Sequence, residues 1–305
     1  MVRKNRLSAA LTAAVLLTGA NAAFAQTDFS GEWSAMRSHD NTENPAVGDF
    51  VGLPFNAAGM LRAESWDPAL LSLPEYQCRP HGWAYIYRGP TQLRISKEID
   101  ESTRDLVAYQ PEWHQSTNSP VYLDGRSRPP EEAAHTWGGY STGTWEGDIL
   151  RIETTHLKED YIRRNGAMMS DEAEVTAWWI RRGDYLTWVT IIHDPLYLAE
   201  PLIRSAEYKL NVNAQVPPHP CTSIFEGLPK GAVPHYLPGE NPFLKELYPR
   251  YGLPKDSPTG GPQTMYPDFK KRMGESTFSK GVRQAQPDND IPQRPNELSP
   301  REERR

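Results

Sequence analysis

The sequence predicts a mainly β protein whose strands form an antiparallel barrel. Three observations predict it. Between about residues 83 and 212, short runs rich in Val, Ile, Thr, Tyr and Trp alternate apolar with polar residues, the period-two pattern of half-buried strands. Gly/Asp turn signals separate these runs. Helical periodicity is almost absent over the same stretch. Many short strands joined by tight turns close or pack on themselves, and roughly eight to ten are expected here.

The elements follow in order. Residues 28–36 (DFSGEWSAM) form a first strand with Gly31 inside it, and residues 37–54 are a polar loop punctuated by Gly and Pro. Asn56 caps a short N-terminal helix that runs to Trp66 and ends at Asp67-Pro68, since a side-chain acceptor at the cap satisfies a free amide. Strands are predicted at 91–99, 104–110 and 120–123, the last ending at the turn dipeptide Asp124-Gly125. Two hairpins stand out. In one, 140–145 and 149–155 flank Glu146-Gly147-Asp148; in the other, 174–181 and 185–193 flank Arg182-Gly183-Asp184. Gly-containing connections of that length are common hairpin loops. A further strand covers 203–212.

Residues 1–25 read as a secretory signal peptide. Arg3, Lys4 and Arg6 precede an apolar run from Leu7 to about Ala20, and Ala23-Phe24-Ala25 is an A-x-A cleavage signature. That run is short of the roughly 20 residues a membrane span needs, and no later segment approaches the length. The expectation is a periplasmic or extracellular protein with no membrane span after cleavage near Ala25. The barrel domain is expected at 26–225, a Pro/Gly-rich extension packing on it at 226–280, and a disordered tail at 281–305, which has too little apolar content to order itself. The formal net charge is −6, and losing the leader makes it more negative. That balance excludes nucleic acid and anionic lipid as partners, which need a basic surface. The two cysteines, Cys78 and Cys221, are expected to form a disulfide in an oxidising compartment; two buried free thiols are the alternative.

Two stretches carry a resemblance. Phe29-Ser30-Gly31-Glu32-Trp33 resembles the G-x-W of the first strand in lipocalin-like (calycin) barrels, where the Trp plugs the closed end and the Gly lets the strand bend. Val121 to Arg126, Thr136 to Asp148, and Asp194-Pro195-Leu196-Tyr197 together look like a large family of uncharacterised exported bacterial proteins. Its members carry Y/F-L-D-G-R-x-H-P, T-W-x-G-x-S-x-G-x-W-E-G-D and D-P-x-x-Y/L patterns. This chain departs at Arg128, where the pattern has His, and at Tyr140. The resemblance covers about 28–225 and implies fold and export rather than an activity.

Candidate site residues come from the same strands. None of the eight histidines stands in H-x-H or H-x-x-x-H spacing, so no metal site is expected from local ligands. His114, His135 and His193 are candidate acid–base groups, with Asp124 as a carboxylate partner. His193 and Asp194 are neighbours on a strand and face opposite sides, so they make no dyad. Arg126, Trp137, Tyr140, Trp145, His156 and Trp188 are candidate ligand contacts, because aromatic walls with a few polar groups are how apolar small molecules are held. Ordinary core packing explains the same aromatics equally well. Gly139-Tyr140-Ser141-Thr142-Gly143 spells G-x-S-x-G, yet no helix follows Ser141, as a nucleophile elbow requires. With no phosphate loop, dinucleotide fingerprint or haem motif, no cofactor is expected.

Three functions remain in order. The first is binding of a small, largely apolar molecule in an aromatic-lined barrel pocket. The second is a cofactor-independent hydrolase, lyase or isomerase using a His/acid pair there. The third is a structural role for the Pro-rich segment. Oligomeric state and ligand identity are left open by the sequence.

Overall fold

Among the described residues, the pattern of alternating side chains resolves into eleven strands. They are β1 (Gly31–Ala35), β2 (Gln92–Ile99), β3 (Leu106–Trp113), β4 (Val121–Tyr122), β5 (Tyr140–Glu146), β6 (Ile149–Thr155), β7 (Asp160–Arg163), β8 (Ala167–Met169), β9 (Glu174–Arg182), β10 (Tyr185–His193) and β11 (Leu202–Leu210). The computed structural model describes residues 26–36, 46–85, 92–221, 235–246 and 261–272. The expected signal peptide and tail, and most of the expected extension, lie outside the described residues.

Nine strands close into a barrel in the order β1–β11–β10–β9–β6–β5–β4–β3–β2. Both expected hairpins form, with Glu146 opposite Ile149 and Arg182 opposite Tyr185. In each hairpin the first strand gains one residue over the expected bounds at the turn, so the loops hold two residues rather than three. One feature departs from a purely antiparallel barrel: β4 runs parallel to β5, with Val121 opposite Ser141. The chain leaves β4 at the Asp124-Gly125 turn and returns only at Tyr140. That long connection lets it re-enter in the same direction, which a tight hairpin cannot do.

The inward set follows the period of two. Val175, Ala177 and Trp179 of β9 and Leu186, Trp188 and Ile192 of β10 are all buried. Trp178, between them in sequence, faces out and donates to Glu146 Oε2 at 3.3 Å. The interior rings touch one another: Trp179 and Trp188 have centroids 5.0 Å apart, and Trp113 and Trp188 6.1 Å apart. Edge-to-face contacts of this kind add to area burial.

Each end of the barrel is covered by its own chain. At the end with the β9–β10 turn, Phe29 packs between Tyr109, Trp145 and Trp179. There Trp33 donates to Phe29 O at 3.2 Å, and the Arg181 guanidinium lies over the Trp33 ring. Trp33 is fully buried, the position that the G-x-W pattern implies. At the opposite end, residues 50–85 form a cap. Helix α1 (Ala57–Glu64) starts at Asn56, whose side chain accepts from Gly59 N at 2.9 Å. Phe55 bridges to Leu198 beyond β10. A 3-10 turn over Trp83–Tyr85 drives Trp83 onto Trp113 and Trp188. The expected change to strand at Trp83 is thus a turn, and the strand begins at Gln92.

Beside this cap lies a separate two-stranded sheet of β7 and β8. It has no counterpart in the sequence reading. A second apolar cluster of Trp66, Leu70, Tyr85, Tyr161 and Met168 fills the space between sheet and cap. Cys78 and Cys221 form a disulfide, with Cα atoms 5.2 Å apart.

Candidate functional site

Buried polar groups gather between the cap and β7. Arg79 follows the disulfide cysteine and is 8% exposed. Its guanidinium lies over three rings, those of Tyr76 at 4.6 Å, Trp137 at 5.1 Å and Tyr161 at 5.4 Å. Its nearest acid is Glu75, at 3.8 Å.

The backbone around Arg79 is firmly held. The Gln115 side chain donates to Gln77 O and to Arg79 O, while the Gln115 carbonyl accepts from His81 N at 2.7 Å. Gln115 adopts a left-handed backbone (φ 63°) to do both. Trp113 donates to His81 O at 3.0 Å. The next residue, Gly82, donates its amide to Asp160 Oδ2 at 2.8 Å. A Cβ there would stand 2.3 Å from that oxygen, so only glycine permits the approach.

Asp160 opens β7 and is buried, its other oxygen accepting from Tyr161 N at 2.7 Å. Burial pushes this carboxyl up to about 7, against the pull of the two amides and Arg79. Burial pushes the His81 imidazole down to about 3, and the Arg164 guanidinium adds to the effect. His81 is therefore neutral at physiological pH, lying against the Tyr85 ring at 4.4 Å. Burial also raises the Tyr161 hydroxyl.

Several of these groups lack partners. Arg79 Nε, Tyr161 Oη and Arg164 Nε are buried without a hydrogen bond. Native interiors pair such atoms with protein, water or ligand, because leaving each one unpaired costs about 1–3 kcal/mol. Among the described residues no group of three or more His, Cys, Asp or Glu side chains is arranged to hold a metal ion.

The expected site residues fall into separate places. Trp137 is at this cluster, between Arg79 and Lys158, whose ammonium is 5.2 Å from its ring. His114 is exposed and pairs with His219 at 5.0 Å; burial, with His219 adding to it, lowers its titration. His135 and His156 pair with each other at 5.5 Å on another part of the surface. His135 Nδ1 lies 2.9 Å from Leu157 O, and His156 bonds Thr155 Oγ1 and Pro130 O. His193 is exposed at the end of β10, opposite Glu174. Asp124 and Arg126 are bound to each other, and Arg126 stacks on Tyr122, which meets Tyr140 at 5.5 Å. Trp145 and Trp188 pack in the core. Ser141 is buried and bonded to Thr154 Oγ1, with β6 rather than a helix after it. The structure thus brings together His135 with His156, and Asp124 with Arg126 and Tyr140. It does not gather the four histidines.

Arg79, His81, Tyr161 and Arg164 gave no pattern signal in the sequence, because their segments carry no period and no motif. The available signal was the placement of Arg79 and His81 beside Cys78, since a disulfide fixes its neighbours.

No protein-family model matches the chain, and no curated protein matches it. Among solved structures, the secretory abundant heat soluble protein 4 from Ramazzottius varieornatus is similar at 10% identity over 61% of this chain and 99% of that one. The TM-score is 0.27, and nothing about fold or function follows from a similarity that distant.

Proposed function

We propose that this is an exported protein that binds a small molecule with a largely apolar body, at the capped end of its barrel. The aromatic-rich barrel fits such a role, and the disulfide fits a periplasmic or extracellular address. The rings inside the lumen pack on one another, so the proposed pocket is the aromatic box outside them, formed by Tyr76, Trp137 and Tyr161 around Arg79. One observation carries the reading: a buried guanidinium boxed by three rings, with three neighbouring or constituent polar atoms that have no partner among the described residues. Apolar walls with a few convergent polar groups are the common build of ligand sites. Membership of the exported bacterial family is part of the same proposal and rests on the sequence patterns alone.

Hydrolase, lyase or isomerase chemistry has less behind it. Both Asp160 oxygens accept backbone amides, and His81 is held neutral far below its ordinary range. The test is titration of the full chain with a panel of aromatic small molecules, followed by calorimetry. Saturable binding that weakens at least tenfold in Trp137→Ala, and not in Tyr140→Ala on the outer face, supports the proposal. Binding untouched by Trp137→Ala, or no binding by any member, overturns it.

A further inference from the structure

The charge around the aromatic box is out of balance. Lys158 stands over Trp137, and Arg164 lies close enough to His81 and Tyr161 to influence both. Among the described residues, neither Lys158 nor Arg164 has an acidic partner within 4 Å, although ten ion pairs form away from Arg79, in a chain of net charge −6. The nearby acids are committed. Glu159 is bound to Arg62 at 2.5 Å and to the Tyr197 hydroxyl at 3.1 Å. Asp160 accepts two backbone amides and titrates at about 7, so it carries only part of a charge near neutrality. Glu75 stays 3.8 Å from Arg79, beyond a direct hydrogen bond.

Several other surface cations are held by acids. The groove of about 520 Å³ beside His219 has its cation, Arg94, already held by Glu32 and Glu112. Arg126 is held by Asp124, and Arg128 by Glu153. At the box, cations without an acidic partner stand beside buried donors that also lack one.

We infer that the ligand of this site carries an oxyanion, a carboxylate or phosphate, which seats between Arg79 and Arg164 while its apolar body lies against Trp137. The inference rests on the binding reading above. Guanidinium forks match the two oxygens of such a group, and Tyr161 Oη supplies a further donor. An oxyanion supplies acceptors for donors that the chain leaves open, and it partners the Arg164 and Lys158 charges, which no acid pairs among the described residues.

The test uses the full chain and isothermal titration calorimetry with three probes of one body: 2-naphthoate, 2-naphthyl phosphate and 2-naphthylmethanol. At least one anion is expected to bind tenfold or more tightly than the alcohol, and the better anion tells carboxylate from phosphate. Arg164→Gln is expected to remove that preference and leave the alcohol unchanged. Lys158→Gln, at an exposed position that does not endanger folding, is expected to reduce it in the same direction. Arg126→Gln on the outer face is expected to leave it intact. Equal affinity for all three probes overturns the oxyanion while leaving the binding reading in place. A preference that survives both Arg164→Gln and Lys158→Gln, or that is lost in Arg126→Gln, overturns the location. No binding by any probe overturns both readings.

Discussion

The Gly82 amide donates to Asp160 Oδ2 at 2.8 Å, and a methyl group on Gly82 would stand 2.3 Å from the same oxygen. This contact joins the cap to β7. Gly82→Ala should push the carboxyl away or break the turn. Either outcome leaves a buried acceptor short of a donor, at a cost of roughly 1–3 kcal/mol. A urea titration should show the midpoint falling with the slope unchanged; an unaltered midpoint would show the contact to be incidental.

Asp160 and His81 give opposite pH dependences. Asp160 titrates at about 7 in the folded chain against an ordinary 3.8, so folding favours its protonated form. Its contribution is full below about pH 4 and is lost as the pH rises through 7. His81 titrates at about 3 against an ordinary 6.5, so folding favours its neutral form. Its contribution is full above about pH 6.5 and is lost as the pH falls towards 3. The two offset each other between pH 4 and 6.5. Asp160→Asn should therefore lose stability on acidification more steeply than the parent. His81→Phe should gain stability over the same range. Thermal melts at half-unit pH steps check both, and parallel profiles for the two variants would refute the assignment.

Much of the barrel was legible in the sequence, and most of the site was not. The hairpins at Gly147 and Gly183 showed themselves because alternation and turn residues are local signals, set within a few positions. The β4–β5 parallel pair was hidden because it depends on where a long connection returns. The same holds for Arg79 and Asp160, which lie far apart in the chain and meet only through the cap. Trp137, an expected ligand contact, lies against Arg79 and Lys158. The acid–base candidates His114, His135 and His193 and the ligand-contact candidate His156 stand in three different places, and no local pattern encodes that.

The disulfide between Cys78 and Cys221 closes a sequence separation of 143 residues. It ties the Arg79 segment to the stretch beyond β11. In the chain-entropy model, such a loop contributes about 5 kcal/mol by restricting the unfolded chain. The double variant Cys78→Ser/Cys221→Ser should lose stability by several kcal/mol and melt at a lower temperature. It should also weaken whatever binds at the box more than the outer-face change Tyr140→Ala does. A melting temperature unmoved by reductant would contradict the first expectation.

Asp194 shows what a fully satisfied buried acid looks like in this fold. It is 4% exposed and accepts from Ser170 N and Ser170 Oγ, each at 2.7 Å, and from Leu196 N and Tyr197 N, each at 3.0 Å. Those bonds fix the turn after β10 against the strand β8. Hydrogen bonds to a charged group contribute about 1.5–3 kcal/mol each. Ser170→Ala should lose about that much. Asp194→Ala should lose more, since it strands three amides at once. Equal losses for the two variants, measured by denaturant titration, would show that the hydroxyl carries most of the anchoring.

Trp178 and Trp179 test the alternation directly. They are neighbours on β9 with opposite fates. Trp179 is fully buried and touches Phe29, Tyr109 and Trp188, while Trp178 faces outward toward Glu146. Removing a buried Trp costs the lost burial plus a cavity, about 3–5 kcal/mol. An outward one away from such features costs within roughly 0.5–1 kcal/mol. Trp179→Ala should therefore unfold at much lower urea than Trp178→Ala, which should stay close to the parent. A reversed order would mean that β9 is shifted by one residue, which would turn every inward side chain of that strand outward.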